Sequence, residues 1–144
     1  MRVRGILLTP AVGMLTIKRL RPRMEPYWVL PGGAVEDNDA TPEDALLREM
    51  REELGGHTHI HSLIHVIDGS DEAELYFLAT IKFWDLAQRT GPEFTEPARG
   101  AYHVEEVPLT AEGIASIDLK PQQVAQLLAQ HQSGVFDLAD LRLR

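Results

Sequence analysis

Cysteine is absent from this chain, which excludes disulfides, thiolate metal sites and cysteine nucleophiles together. No apolar run approaches the ~20 residues that a membrane-spanning helix needs. The start, Met1-Arg2-Val3-Arg4-Gly5, carries no secretory pattern. No repeat, low-complexity tract or linker-like stretch divides the sequence. Positive charge is in short supply: 14 Lys and Arg stand against 22 Asp and Glu, for a formal net charge of −8. That balance repels a long polyanion and argues against nucleic acid as a partner. Excess carboxylate has a second use, because some of it can hold a divalent cation and so invert the local charge.

What remains is enough for a folded domain. Hydrophobic residues make up 44% of the 144 and charged residues 25%, so one core can be buried but two domains are not called for. The expectation is a single cytoplasmic domain over residues 1–144 with no membrane partner. Val3 to Thr9 and Met14 to Leu20 read as two strands joined by a turn through Pro10 and Gly13. Tyr27 to Leu30 is a short apolar run stopped by Pro31-Gly32-Gly33, which reads as a loop. His59 to Ile67 and Glu74 to Phe83 read as strands joined through Asp68-Gly69-Ser70-Asp71-Glu72. Gly91 to Gly100 reads as a loop, Tyr102 to Leu109 as a further strand, and Pro121 to about Gln132 as a last helix. Strands before and after a central helix, with a helix at the end, predict a mixed α/β layered domain.

The central helix has agreeing start and stop signals. Thr41 can cap, Pro42 suits the first helical position, and Glu43 and Asp44 complement the positive end of the dipole. Gly55 stands where a left-handed cap is expected. At about 100° per residue, Glu49, Glu52 and Glu53 fall in one stripe roughly 100° wide, with Ala45 one turn ahead. Leu47, Met50 and Leu54 lie to one side, to pack on the sheet. Like charges at these spacings each cost about 0.2–0.5 kcal/mol on an exposed helix. Arg48 and Arg51 offset part of that, and a divalent cation would offset it more directly. Mg²⁺ and Mn²⁺ take oxygen ligands and commonly bridge to substrate phosphates. Taken alone, Arg48-Glu49-Met50-Arg51-Glu52-Glu53 is the string of a solvated surface helix. The glycine turn just ahead changes the balance, because it lets backbone approach a metal or a phosphate closely.

The combined pattern resembles the Nudix hydrolases. Their signature runs Gly, five residues, Glu, seven residues, then Arg-Glu-apolar-x-Glu-Glu-x-Gly. Its second half is complete here from Arg48 to Gly55, and Gly33 matches the opening glycine. One departure stands between them. Counting forward from Gly33 puts Asp39 where the family has Glu, while counting back from Arg48 puts Ala40 there, so the loop is one residue longer. Asp39 or Glu36 is expected to hold Arg48.

The resemblance implies a Nudix-type α/β/α sandwich with a mixed sheet and a catalytic loop-helix. It implies a pyrophosphohydrolase that uses Mg²⁺, or Mn²⁺ in its place, to split a nucleoside diphosphate linked to a moiety X. Glu49, Glu52 and Glu53 would be the metal-ligand acids, joined by the Gly33 carbonyl, with Arg48 orienting them. The metal would polarise the diphosphate and acidify a water, and one acid would serve as general base. The partner would be a small nucleotide-type molecule, and a homodimer is compatible with the family. ADP-ribose, dinucleoside polyphosphates, nucleotide sugars and oxidised nucleoside triphosphates all share the diphosphate that the box addresses. The competing reading is a nucleotide-sensing or binding module on the same fold that does not cut. The intact Glu52-Glu53 pair weighs against it.

Other signals are weaker. Glu93 and Glu96 lie in the Gly91 to Gly100 loop, where many Nudix enzymes supply an extra acid, and a polar solvated loop explains them equally well. Lys18, Arg19, Arg21 and Arg23 form the one dense basic segment and could grip phosphate, although a solubilising loop explains each one singly. Tyr27 and Trp28 could stack on a base, but aromatics on a short strand usually belong to the core. Glu105 and Glu106 are adjacent on a strand and must face opposite ways. His57, His59, His61 and His65 alternate along one strand face, which suits a polar surface better than a tetrahedral zinc site.

Overall fold

A computed structural model describes residues 1–69, 71–86 and 101–143, with the side chains of Ala101 and Tyr102 left aside. In chain order the elements are β1 (Arg2–Leu8), β2 (Gly13–Leu20), β3 (Tyr27–Val29), β4 (Gly32–Ala34), α1 (Pro42–Leu54), β5 (Gly56–Asp68), β6 (Ala73–Trp84), β7 (Ala101–Pro108), α2 (Ala111–Ala115) and α3 (Gln122–His131). Single turns of tighter helix follow at Val135–Asp137 and Leu141–Leu143.

The strands form one mixed sheet in the order β3-β2-β1-β6-β5, with β4 paired to β1 and β7 to β2. β1 and β6 run parallel from Arg2↔Glu74 to Leu8↔Thr80, and the other pairings are antiparallel. The period of two along each strand splits the core between the two sheet faces. Ile6, Leu8, Tyr76 and Leu78 face one way and pack with Ile114 of α2 and with Val124 and Leu128 of α3. Val3, Leu7, Phe77, Ala79 and Ile81 face the other way and pack with Ala45, Leu46, Met50 and Leu54 of α1. The result is the expected α/β/α sandwich, with α1 on one face and α2 and α3 on the other.

Three details differ from the sequence reading. Leu46 rather than Leu47 is buried beneath α1, since 46, 50 and 54 repeat every four residues and Leu47 sits ~100° away. Gly32 to Ala34 is a short strand on β1 rather than a free loop, with Gly33 opposite Val3 and Gly32 opposite Arg4. A Cβ at Gly32 would lie 1.9 Å from the Val3 carbonyl oxygen, so only glycine permits that approach. Pro121 is the cap residue before α3 rather than its first helical residue. The helix α2 over Ala111–Ala115, capped by Thr110, is an addition that the sequence reading did not contain.

Candidate active site

Helix α1 is fixed at both ends by the residues expected to do so. Thr41 Oγ1 accepts from the Asp44 N–H at 3.1 Å, and Gly55 at φ 60° closes the helix in the left-handed region. Its buried flank holds it on the sheet, and its other flank faces β4. Glu53 lies on that side at 4% exposure and accepts the Gly32 N–H at 2.8 Å, locking helix to strand. Glu49 sits beside it. A Cβ added to Gly33 would stand 2.4 Å from Glu49 Oε1, so the missing side chain is what seats that carboxylate against the backbone.

Arg48 organises the remaining acids. Its Nε and Nη2 donate to Asp39 Oδ1 and Oδ2 at 3.0 and 2.9 Å, a two-pronged grip on one carboxylate. Nη2 also donates to the Ala34 carbonyl at 3.0 Å, tying α1 to the end of β4. Nη1 reaches Glu49 Oε1 at 3.1 Å and Glu52 Oε2 at 3.3 Å, with Glu36 further off at 3.6 Å. The bonds donated by Arg48 hold the Asp39 carboxyl below the usual carboxylate range, and the same pairing pushes the guanidinium higher still. Of the two acids named as alternatives, Asp39 holds Arg48 through two bonds, and Glu36 stands at 3.6 Å.

Among the described residues no three acids or histidines converge as a ready-made metal cage. The box acids are instead engaged by Arg48 and by the Gly32 amide. Their chemistry nonetheless fits a hard divalent cation, because Glu49, Glu52, Glu53 and the Gly33 carbonyl offer only oxygen. The bare Gly33 Cα leaves the space in which the Glu49 carboxylate lies.

Glu93 and Glu96 lie outside the described residues. Lys18 stands 5.3 Å above the Trp28 ring and Arg21 6.0 Å from that of Tyr27. Arg21 and Arg23 are exposed in the turn before β3, while Arg19 lies in β2 opposite Tyr27. Trp28 is part of the core layer and donates through Nε1 to Glu105 at 2.8 Å, while Glu106 accepts from Thr9 at 3.2 Å.

A cavity of about 290 Å³ opens next to the glycine strand, on the α3 side of the sheet, between Arg4, Leu30, Glu74, Tyr76, Lys120 and Pro121. Arg4 is the register partner of Gly32, which places this cavity beside the glycine strand, on the sheet face opposite α1. Tyr76 donates its hydroxyl to Glu74, and Arg4 Nε lies 3.7 Å from the same carboxylate. Burial, reinforced by Glu74, pushes the Tyr76 phenol well above its usual value. Sequence reasoning missed these residues. The signal they share is the pairing of β1 with β6, which brings Arg4 opposite Tyr76 and beside Glu74.

A family model for the NUDIX domain matches residues 1–122. The chain belongs to the Nudix family. Enzymes of that family generally use divalent metals. A curated 8-oxo-dGTP diphosphatase of Proteus vulgaris is 56% identical over 36 residues, which are 25% of this chain and 31% of that one. The chain thus spans about a third of the length of the curated relative it matches. Among solved structures, a NUDIX hydrolase from Nitrosomonas europaea superposes with a TM-score of 0.71 at 12% identity, covering 99% of this chain and 93% of that one. A MutT structure from work on Aliivibrio salmonicida and Vibrio cholerae gives 0.60 at 19% identity, covering 90% and 95%. These two likenesses establish the fold. No helix of the described residues is long and apolar enough to cross a membrane.

Proposed function

We propose that this Nudix protein is a Mg²⁺-dependent hydrolase that cleaves the diphosphate linkage of a nucleoside diphosphate joined to another moiety, acting as one domain over residues 1–144 in the cytoplasm. The observation that carries the reading is the seating of Glu49 against Gly33, with Arg48 bridging Glu49 and Glu52. Mn²⁺ is expected to substitute for Mg²⁺, since both take carboxylate oxygen.

Glu49, Glu52, Glu53 and the Gly33 carbonyl are the groups we assign to the cation. When bound, the ion supplies Lewis-acid polarisation of the diphosphate and a more acidic water. Water adds to one phosphorus, the anhydride P–O bond breaks, and two phosphate-ended products leave. The proton goes to a general base that we place among the box acids, or on Glu93 or Glu96. Arg48 acts as a positioning residue, fixing Glu49 and Glu52 in one orientation through Asp39. Arg19, Arg21 and Arg23 are assigned to the outer phosphates, being cations placed just before β3 and the glycine strand. The cavity beside Arg4 and Tyr76 is assigned to the nucleoside, since its Leu30 and Pro121 walls suit a flat base and its charged groups suit the base edge.

We choose an oxidised purine nucleoside triphosphate as the first substrate to try, in view of the 8-oxo-dGTP diphosphatase of Proteus vulgaris. The test is a panel of such triphosphates, ADP-ribose, dinucleoside polyphosphates and nucleotide sugars, assayed for released phosphate products with Mg²⁺ and with EDTA. Turnover that needs Mg²⁺ and disappears in Glu53→Gln, with the fold retained, supports the proposal. Full turnover in Glu53→Gln, or none by the wild type on any member, sinks it.

A further inference from the structure

β5 is the last strand of the sheet order, so its outer side has no strand beside it among the described residues. Such an edge leaves a row of donors and acceptors to be covered by something else. The chain after α3 does this with side chains. Asp140 Oδ1 accepts the Leu63 N–H of β5 at 3.1 Å, and Arg142 Nη2 donates to the His61 carbonyl of the same strand at 3.2 Å. The two are locked to each other, with Arg142 Nε and Nη2 at 3.0 and 2.8 Å from the Asp140 carboxylate. That grip, with help from the Leu63 amide, holds the Asp140 carboxyl far below the usual range. Phe136 adds an edge contact to the His61 ring at 5.0 Å between centroids.

The same segment changes faces of the sheet. Val135 is buried in the layer with α3, whereas Leu141 packs against the opposite layer, which Ala45, Leu46, Met50 and Leu54 of α1 build. Arg142 then completes the crossing, since its Nη1 reaches Glu43 Oε2 in the first turn of α1 at 3.3 Å. One guanidinium therefore joins the Asp140 carboxylate, the β5 backbone and α1. All of these strap residues lie beyond residue 122, where the match to the family ends.

We propose that Val135 to Leu143 is a strap that rounds the β5 edge and positions α1 through the Arg142–Glu43 contact, so that Glu49, Glu52 and Glu53 keep their place against Gly33. This rests on the reading of α1 as the metal-holding helix. Glu43 stands six residues before Glu49, so a tilt or slide at the first turn is transmitted along a rigid helix to the carboxylates. Functional groups tolerate about 0.5 Å of such movement. Both partners of the pair are about one-third exposed, so its effect is on position far more than on global stability. Arg142 is a positioning residue in this scheme.

The experiment compares wild type, Arg142→Ala, Arg142→Lys and Glu43→Gln by hydrogen exchange of α1 amides and by Mg²⁺ titration followed calorimetrically. Glu43→Gln leaves the Asp140–Arg142 grip on β5 intact and so isolates the link to the helix. The strap predicts α1 exchange about two- to fivefold faster in Arg142→Ala and Glu43→Gln, the change expected on losing a partly exposed pair. It also predicts weaker Mg²⁺ binding in those variants, an intermediate Arg142→Lys, and unchanged exchange in β2 and α3. Unchanged α1 exchange in both variants overturns the proposal. So does a uniform rise across all elements, which would make the segment a general stabiliser. A wild type that binds no Mg²⁺ defeats the metal reading of α1, and the exchange measurement still decides the strap.

Discussion

Arg48 grips Asp39 through two parallel bonds of 3.0 and 2.9 Å while its remaining nitrogen faces Glu49 and Glu52. This is where the chain departs from the family signature. Asp is one methylene shorter than Glu, and the extra loop residue supplies the missing reach. The Asp39 carboxylate also accepts the Glu36 amide at 2.8 Å, so the loop closes on itself and presents a fixed acceptor to the helix.

Asp39→Ala should therefore lower activity without touching a proposed metal ligand. Losing a group that orients metal-binding acids commonly costs about 10–100-fold, and that range is expected in kcat or in the Mg²⁺ requirement, with KM for the nucleotide little changed. Asp39→Glu should be intermediate, since the longer acid overreaches in the longer loop. Wild-type kinetics in Asp39→Ala would show that Arg48 needs no partner there.

The same pair gives a sign to the acid limb of the stability profile. Arg48 holds the folded-state pKa of Asp39 below its ordinary 3.8. A depressed carboxylate contributes stability above its unfolded pKa and loses it as pH falls through the folded value. Chemical denaturation of wild type and Asp39→Asn should give a constant difference at neutral pH. The two curves should converge below about pH 4, the unfolded value for Asp. A gap that widens on acidification would contradict the assignment.

Adjacent glycines should fail in different ways. Alanine at Gly32 would put its Cβ 1.9 Å from the Val3 carbonyl oxygen, against backbone that cannot yield, so the β1–β4 pairing must open. Alanine at Gly33 meets the end of the Glu49 side chain at 2.4 Å, and that side chain can rotate away. Gly32→Ala is expected to lower the melting temperature sharply. Gly33→Ala should melt near wild type yet lose most activity, because Glu49 is displaced. Thermal melts paired with turnover separate the two, and equal losses of stability would refute the distinction.

The box helix was legible because its information is local. Thr41, Pro42, Glu43, Asp44 and Gly55 all act within a few turns, and the structure keeps each of them in its expected role in the helix. The mixed α/β layering was legible from strand and helix periodicity, whereas the α/β/α sandwich was implied by the resemblance alone. Long-range pairing was not. Nothing near Arg4 announces that β6 lies parallel beside β1, so the cavity formed by Arg4, Glu74 and Tyr76 had no signal in the sequence. Gly32 and Gly33 were read as part of a loop, because the strand they form depends on β1, whose paired residues lie 28 or more positions earlier. The strap was invisible for the same reason: Leu141-Arg142-Leu143 is an unremarked tail until Glu43 is seen across from it.

Divalent metal should stabilise the protein in proportion to how well the box holds it. A ligand that binds only the folded state adds about 2.7 kcal/mol at a hundred times its Kd, enough to move a melting curve visibly. The box acids make the dependence specific. Glu52 is the most exposed of them, with its side chain 34% accessible and tied only at 3.3 Å to Arg48, so Glu52→Gln should change the metal-free melt little. A surface change of that kind stays within about 0.5 kcal/mol. With Mg²⁺ present the same variant should lose most of the wild-type upward shift, because a neutral amide is a poor ligand for a hard cation. An equal ionic strength of NaCl is the control for general charge screening. If NaCl reproduces the Mg²⁺ shift, or if Glu52→Gln keeps it in full, the acidic stripe is a screened surface and the metal centre lies elsewhere.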